Sequence, residues 1–415
     1  MQLMQKAANA AAGQPLPQLT YCTNIHAGEA WPQIMKSLTD CVPPIKSNLG
    51  AQNLGIGLRL GHAAIQALNN APTRSELQEF LADQYNVFTI NAFPYGPFHG
   101  EPVKQNVYAP DWSTPERLSY TNEVAELLAK LIQGNPEGDN FGSISTVPGS
   151  FKPWVAGREQ QIRSHLVQCV AKLVDIKRQT GVEIALALEP EPYCMLETIE
   201  ETVDWFRDYG HSAESCRELA TLCGVTHSAA EELLRTHLGV CYDVCHAAVE
   251  FENARDSFTA LQAAGIRIPK IQLSSALRVS SMDRDVAKKL SAFSETVYLH
   301  QVIQQEQSGA LSRFLDLPEA LQELEKNGKG EGAEWRVHFH VPVFLDRLEH
   351  FDTTQFFLRD VLEVLREENL SPHLEVETYT WDVLPPELRN TDISTAIARE
   401  MQWVLDELDC KPVAS

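Results

Sequence analysis

The chain has 415 residues, 44% of them apolar, and 34 Lys and Arg stand against 56 Asp and Glu for a formal net charge of −22. It contains no apolar run of about 18 residues and no block of clustered Lys and Arg. That excludes a membrane-spanning helix and disfavours a phosphate-rich partner such as nucleic acid. The opening segment MQLMQKAANAAAGQPLPQ lacks the apolar centre of a signal peptide, and residues 1–19 read as a flexible lead-in. Nine cysteines without a C-x-x-C pair read as reduced, buried thiols of a cytoplasmic protein.

Strand-like and helix-like runs alternate along the chain. TYCTNIHAGE (20–29) is the first predicted strand, with Asn24 and His26 on one face. LGIGLRLG (54–61) is the second, NVFTINAFPYGPFHG (86–100) the third, ending in an aromatic loop, and NFGSISTVPGS (140–150) the fourth. Thr73 and Glu76 form a capping box, and Thr114 with Pro115 starts a helix that stops near Gly134. Residues 158–180 carry Ile162, Leu166, Val170 and Leu173 on one helical stripe ended by Gly181.

ALALEPEP (185–192) is the fifth strand and the centre of the chain's organisation. With a period of two, Ile184, Leu186 and Leu188 face one way, and Ala185, Ala187, Glu189 and Glu191 the other. A barrel strand explains this pattern. Its large side chains pack under helices, its small ones fill the bore, and an acid appears where the strand opens. After boxes at Thr198–Glu201 and Ser228–Glu231, GVCYDVCH (239–246) repeats the construction as strand six. KIQLSSA (270–276) is strand seven. Residues 277–333 break the alternation and read as an insertion in a late βα loop. WRVHFHVPVF (335–344) is a ninth strand-like run and can be the second half of a split strand seven. A helix capped by Asp352 and Gln355 follows, then HLEVETYTW (373–381) and a last helix over 392–408. About eight such units predict a single (β/α)8 TIM barrel over 20–410, with 411–415 as a tail. No G-x-G-x-x-G or P-loop follows a strand, which weakens nucleotide binding.

Acids at the ends of different strands point to a divalent metal such as Mn, Mg, Co or Zn. Glu189 is the first candidate, and Glu191 has the same parity further into the loop. Asp243 and His246 form a D-x-x-H unit at the end of strand six. Gln272 and Ser274 share a face of strand seven, and Gln272 suits a substrate hydroxyl better than a metal. His338 and His340 alternate on one face, as do Glu375 and Glu377, of which Glu377 lies nearer the strand end. His26 and Asn24 are weaker substrate contacts, and Phe93, Tyr95 and Phe98 can form an apolar wall.

In this order of residues the chain resembles the xylose-isomerase-like sugar isomerase and epimerase barrels. TYCTNIHAGE, ALEPEPYCMLET, CYDVCHAAVEFE, HFHVPVF and HLEVETYTWDVLP are together similar to the EboE family of metabolite traffic proteins, over roughly residues 20–410. The resemblance implies a gene cluster that moves or modifies a secondary-metabolite precursor, with other products of that cluster as partners. It also implies a metal held by Glu, Asp, His and Glu, of which Glu189, Asp243 and Glu377 match three, while His246 matches a substrate-contacting histidine. The fourth position falls on Gln272 if KIQLSSA is strand seven, and on His338 or His340 if that strand is split. The activity implied is metal-assisted isomerisation or epimerisation of a small polyhydroxylated metabolite, with Glu189 and Glu377 moving the proton and His246 assisting. Glu191, Gln272, His338 and His26 would hold the substrate. A non-catalytic carrier on the same barrel is the alternative. An endonuclease-IV-like phosphodiesterase would need a basic groove that the charge of −22 argues against.

Overall fold

Eight of the nine strand-like runs pair in parallel in a computed structural model that describes residues 1, 3–5, 16–82, 84–100, 102–134, 139–384 and 391–412. They are β1 (Gln18–Tyr21), β2 (Leu54–Arg59), β3 (Tyr85–Asn91), β4 (Phe141–Thr146), β5 (Glu183–Leu188), β6 (Leu238–Asp243), β7 (Arg267–Leu273) and β8 (His373–Val376). Neighbouring strands run β1–β8–β7–β6–β5–β4–β3–β2, and a parallel bridge from Cys22 to Gly57 joins β2 back to β1. Every crossover carries at least one helix, as parallel pairing demands. The result is the (β/α)8 barrel. All strands open at one mouth, so residues far apart in sequence can meet there.

The seam between β1 and β2 depends on Gly57. A Cβ at this position would lie 1.9 Å from Glu375 Oε1 and 2.8 Å from the Tyr21 carbonyl oxygen. Gly57→Ala should therefore cost about 1–3 kcal/mol, as overpacking does, and lower the urea midpoint of unfolding. An unchanged midpoint would show that the seam accommodates a side chain.

On β5, Ile184, Leu186 and Leu188 join the buried apolar core, while Ala185 and Ala187 stand in register with Ser143 and Ser145 of β4. The bore is polar where branched aliphatics are common in this fold. Ser143 donates to Thr89 Oγ1 at 2.8 Å and lies 2.8 Å from His373 Nδ1. Lys270 Nζ sits 2.5 Å from Glu375 Oε2 and donates to Ser145 Oγ at 3.2 Å, with both ion-pair partners fully buried.

Helix starts differ from the expected boxes except at Thr198, whose hydroxyl accepts from the Glu201 N–H at 3.2 Å. The helix expected to start at Thr73 begins at Ala71, and Glu76 instead accepts from Trp31 Nε1 at 3.0 Å. Thr226, not Ser228, caps the helix His227–His237, and Glu231 pairs with Arg235. The helix Gln355–Glu367 follows Thr354, with Asp352 in a short strand. Asn70 and Thr226 have the extended backbone that a cap needs, whereas the Thr354 hydroxyl accepts from the Ala276 N–H, and spacing alone does not reveal this.

The insertion is larger than residues 277–333. It forms an antiparallel sheet ordered Leu311–Phe314, Val302–Gln305, Glu334–Val337, Leu277–Val279, Asp352–Thr353. Glu334–Val337 is thus no second half of strand seven, because its partners are accessory strands and not β8. Beyond Val337 the chain crosses the barrel mouth, tied by His338 N–H to Gln301 O and by Val341 N–H to Ser275 O, each at 2.9 Å. The apolar cores of barrel and accessory sheet are continuous.

Leu3–Gln5 pairs antiparallel with Cys410–Pro412, and β1 begins at Gln18, inside the segment read as a lead-in. The remainder of that lead-in, residues 2 and 6–15, and the tail 413–415 lie outside the described residues. Among the described residues no cysteine forms a disulfide and no helix is long and apolar enough to cross a membrane.

Candidate metal centre and substrate cavity

Asp243 ends β6 and caps the short helix Val244–Val249. Its Oδ1 accepts from the N–H groups of Cys245 and His246, at 2.7 and 3.2 Å, and from Ser274 Oγ at 2.7 Å. These bonds fix the carboxylate and leave Oδ2 buried without a partner. Glu189 follows β5 with its Oε2 equally unpartnered, and Glu377 follows β8. One oxygen from each of Glu189, Asp243 and Glu377 lies within 4.8 Å of the others. Asp243 also forms such a group with His246 and His340.

His340 Nδ1 lies 2.9 Å from the Glu377 carbonyl oxygen, which can only accept, so Nδ1 carries the proton. The bare Nε2 is buried and unpartnered. Asn24 Nδ2 and Asn91 Nδ2 donate to Glu377 Oε1 at 2.6 and 3.1 Å, which orients this acid from the opposite wall.

The electrostatics are those of a cation site. Burial pushes the Glu189 carboxyl well above its ordinary value, and Asp243 adds to the push. Burial, then Glu189 and Asp243, do the same to Glu377. Burial also raises Asp243, but His246, His340 and the donated hydrogen bonds outweigh it and hold that carboxyl below its usual value. Burial lowers His340 to about 4, leaving a neutral ring. Three acids this close in a dry pocket cannot all ionise without a positive partner. The bare Glu189 and Asp243 oxygens and the bare His340 nitrogen supply the donor set that a divalent ion takes. The residues fit a metal.

A cavity opens beside the acids. Glu189, Glu191, His246, His338, His340 and Glu377 line its polar side. Phe98, Tyr298 and Tyr379 cap it, with ring centroids 5.0–5.3 Å apart, and each comes from a different segment. Phe93 lines the wall as expected, whereas Tyr95 stacks on His62 at 4.7 Å, outside the lining. Glu191 accepts from Tyr108 OH at 2.7 Å and from Gln301 Nε2 at 3.1 Å. Lys104, the sole Lys or Arg among the described residues of the lining, is paired with Asp316 at 2.6 Å.

Two expected substrate contacts lie elsewhere. His26 borders a separate crevice and its Nε2 lies 3.1 Å from Tyr21 OH. The chain turns over Thr23–Ile25, which brings Asn24 inward and carries His26 away. Gln272 Oε1 accepts from the Cys241 thiol at 3.0 Å, so its amide is turned toward the bore and it does not line the cavity. Asn91, Gln301, Tyr108 and Tyr379 escaped sequence reading. Only Asn91, a lone amide at the end of a β-rich run, left a usable signal there.

Glu400, on the helix Ile393–Glu407, holds the loops that carry His340 and Glu377. Its Oε1 accepts from Val343 N–H at 3.0 Å and Thr378 Oγ1 at 2.7 Å. Burial pushes its pKa from 4.5 to about 7. Over that window the folded state keeps a proton that the unfolded state releases, so the associated stability is present below pH 4.5 and lost as pH rises through about 7. Glu400→Gln keeps the acceptor and removes the ionisation. Its stability relative to wild type should rise by up to about 3 kcal/mol between acid and mildly alkaline pH, measured by urea unfolding. An advantage that does not grow with pH would count against burial as the cause.

No protein-family model matches the sequence, and no curated protein matches it. Fold and site together define a (β/α)8 barrel with a buried carboxylate–imidazole cluster at its mouth. Among solved structures it is similar to the IolI protein with a bound zinc atom, at 13% identity over 94% of this chain and 98% of that one, with a TM-score of 0.47. It is similar to an L-ribulose 3-epimerase at 10% identity over 95% of each chain, TM-score 0.45. A Salmonella typhimurium LT2 protein containing a xylose isomerase domain is similar at 12% identity over 95% and 99% of the chains, TM-score 0.35. The likeness is one of fold.

Proposed function

We propose that the protein is a divalent-metal-dependent isomerase or epimerase of a small polyhydroxylated metabolite. The observation that supports this reading most is the convergence of Glu189, Asp243 and Glu377, and of His340 on Asp243, beside a cavity, with bare, buried donor atoms on Glu189, Asp243 and His340. These four residues would hold the ion (Mn, Mg, Co or Zn). When bound, it would draw charge from two neighbouring substrate oxygens and favour an enediolate. Glu189 takes the proton from the carbon next to the substrate carbonyl, and the C–H electron pair passes into the enediolate. Glu377, in its acid form, returns a proton from the other side. His246, Glu191 and His338 bind hydroxyls, and the aromatic cap excludes water. Because Lys104, the one cation among the described residues of the lining, is already paired, an uncharged substrate suits the cavity.

The motifs HFHVPVF and HLEVETYTWDVLP support placing the protein with the EboE proteins, in the cytoplasm and beside other products of that gene cluster. The test is solvent deuterium exchange. Protein loaded with Mn²⁺ in D₂O is given D-fructose, D-ribulose or an inosose, and loss of the C–H signal is followed by NMR. Exchange that Glu189→Gln abolishes supports the enzyme. Retained metal with no exchange in any probe favours the non-catalytic binding barrel.

A further inference from the structure

We infer that the substrate is amphiphilic, a polyhydroxylated head at the acids that carries an apolar substituent, and that the insertion after β7 helps to house this substituent. The inference rests on the reading of the mouth as a polyol site and narrows its substrate class. The acids and imidazoles of the cavity come from the ends of β5, β6 and β8 and from the segment 338–340. Its apolar wall comes from two other segments. Phe93, Pro94, Phe98, Val103 and Val107 follow β3, and Leu299 belongs to the insertion. None of these six side chains has a hydrogen-bonding group.

Strands β3 and β7 stand across the barrel from each other, so the two segments rise on opposite sides and meet over the mouth. The N–H groups of Val103 and Lys104 both donate to the Val297 carbonyl oxygen, at 2.8 and 2.9 Å. Lys104 Nζ donates to the Glu295 carbonyl oxygen at 3.2 Å and to Asp316 at 2.6 Å. Tyr108 OH, in the same wall, donates to Glu191 at 2.7 Å and accepts from Gln301 Nε2 at 2.9 Å. These bonds hold the wall together and take up those polar groups. A substrate hydroxyl set against the six apolar side chains would give up water without a new partner, whereas apolar carbon gains by leaving water. A flat aromatic ring can take the C–H face of a bare sugar. Val103, Val107 and Leu299 are branched aliphatics and offer no such plane. A head with hydroxyls all round therefore matches one side of the cavity, and a head with an apolar substituent matches both.

The experiment uses the full chain loaded with Mn²⁺ and measures binding by titration calorimetry. The probes are D-fructose, methyl β-D-glucopyranoside and phenyl β-D-glucopyranoside. The two glucosides share one head and differ only in the substituent. The phenyl glucoside should bind roughly 10–100-fold more tightly than the methyl glucoside, from the apolar area its ring buries. Leu299→Asn, close in size, should remove most of that preference and leave the D-fructose affinity unchanged. Val107→Thr, isosteric at a half-buried position, should lower the preference in the same direction and takes its place if Leu299→Asn does not fold. Equal affinity for the two glucosides, or binding of D-fructose and of neither glucoside, would overturn the inference and leave the proposed function standing. A preference that survives in the folded variants would place the phenyl group elsewhere and overturn it too. Binding of none of the three probes would overturn both.

Discussion

Asp243→Asn should strip the metal centre of its ion while leaving the fold intact. Asn keeps Oδ1, and with it the bonds from Cys245 N–H, His246 N–H and Ser274 that cap the Val244–Val249 helix. It replaces the bare Oδ2 with an amide that cannot ligate, and removes a full charge. Loss of a residue that merely supports a metal ligand costs about 10–100-fold in affinity, so the loss here should be at least that large. Gln272→Ala is the control. Its side chain bonds the Cys241 thiol and does not line the cavity, so metal retention should stay near wild type. The measurement is metal bound after dialysis, with thermal melting in excess chelator to confirm folding. Equal retention in all three proteins with stoichiometry near zero would favour the non-catalytic barrel. A reversed order would mean that the metal sits on other strands.

Lys270→Met should destabilise the barrel by about 3–5 kcal/mol, the cost of leaving one partner of a buried ion pair uncompensated. Lys270 and Glu375 are fully buried at 2.5 Å. Burial raises the Glu375 carboxyl, and Lys270 pulls against that rise. Without the lysine, Glu375 would stand alone beneath Glu189, Asp243 and Glu377, all negative when ionised. Adding Glu375→Gln should recover much of the loss, because the charge left behind is then gone. Urea unfolding of the single and double variants separates the outcomes. A double variant no more stable than Lys270→Met would show that the lysine stem, not its charge, supports the bore.

Eight of the nine strand-like runs proved to be barrel strands, and in the acid-bearing ones the side facing the bore was legible in the residues. A period of two in ALALEP, GVCYD and HLEVE assigns faces without reference to any other segment, because successive side chains in extended backbone alternate. Together with their place at strand ends, that pointed to Glu189, Asp243 and Glu377, with Glu375 left as the alternative to Glu377, and the structure brings the first three within 4.8 Å of one another. Depth along the bore was not legible there and follows from strand pairing. Glu375 and Glu377 share a face, separated by about 7 Å of strand. Pairing with β7 sets Glu375 beside Gln272 and in contact with Lys270, leaving Glu377 for the mouth. The same pairing turns Gln272 to Cys241, while His340, the imidazole proposed to complete the donor set, lies on a segment that enters over the accessory sheet. Local dihedral preference repeats every two residues and fixes a face. Depth and partners are set by hydrogen-bond register between segments that can lie hundreds of residues apart, as Asn24 and Glu377 do, and no local pattern carries that information.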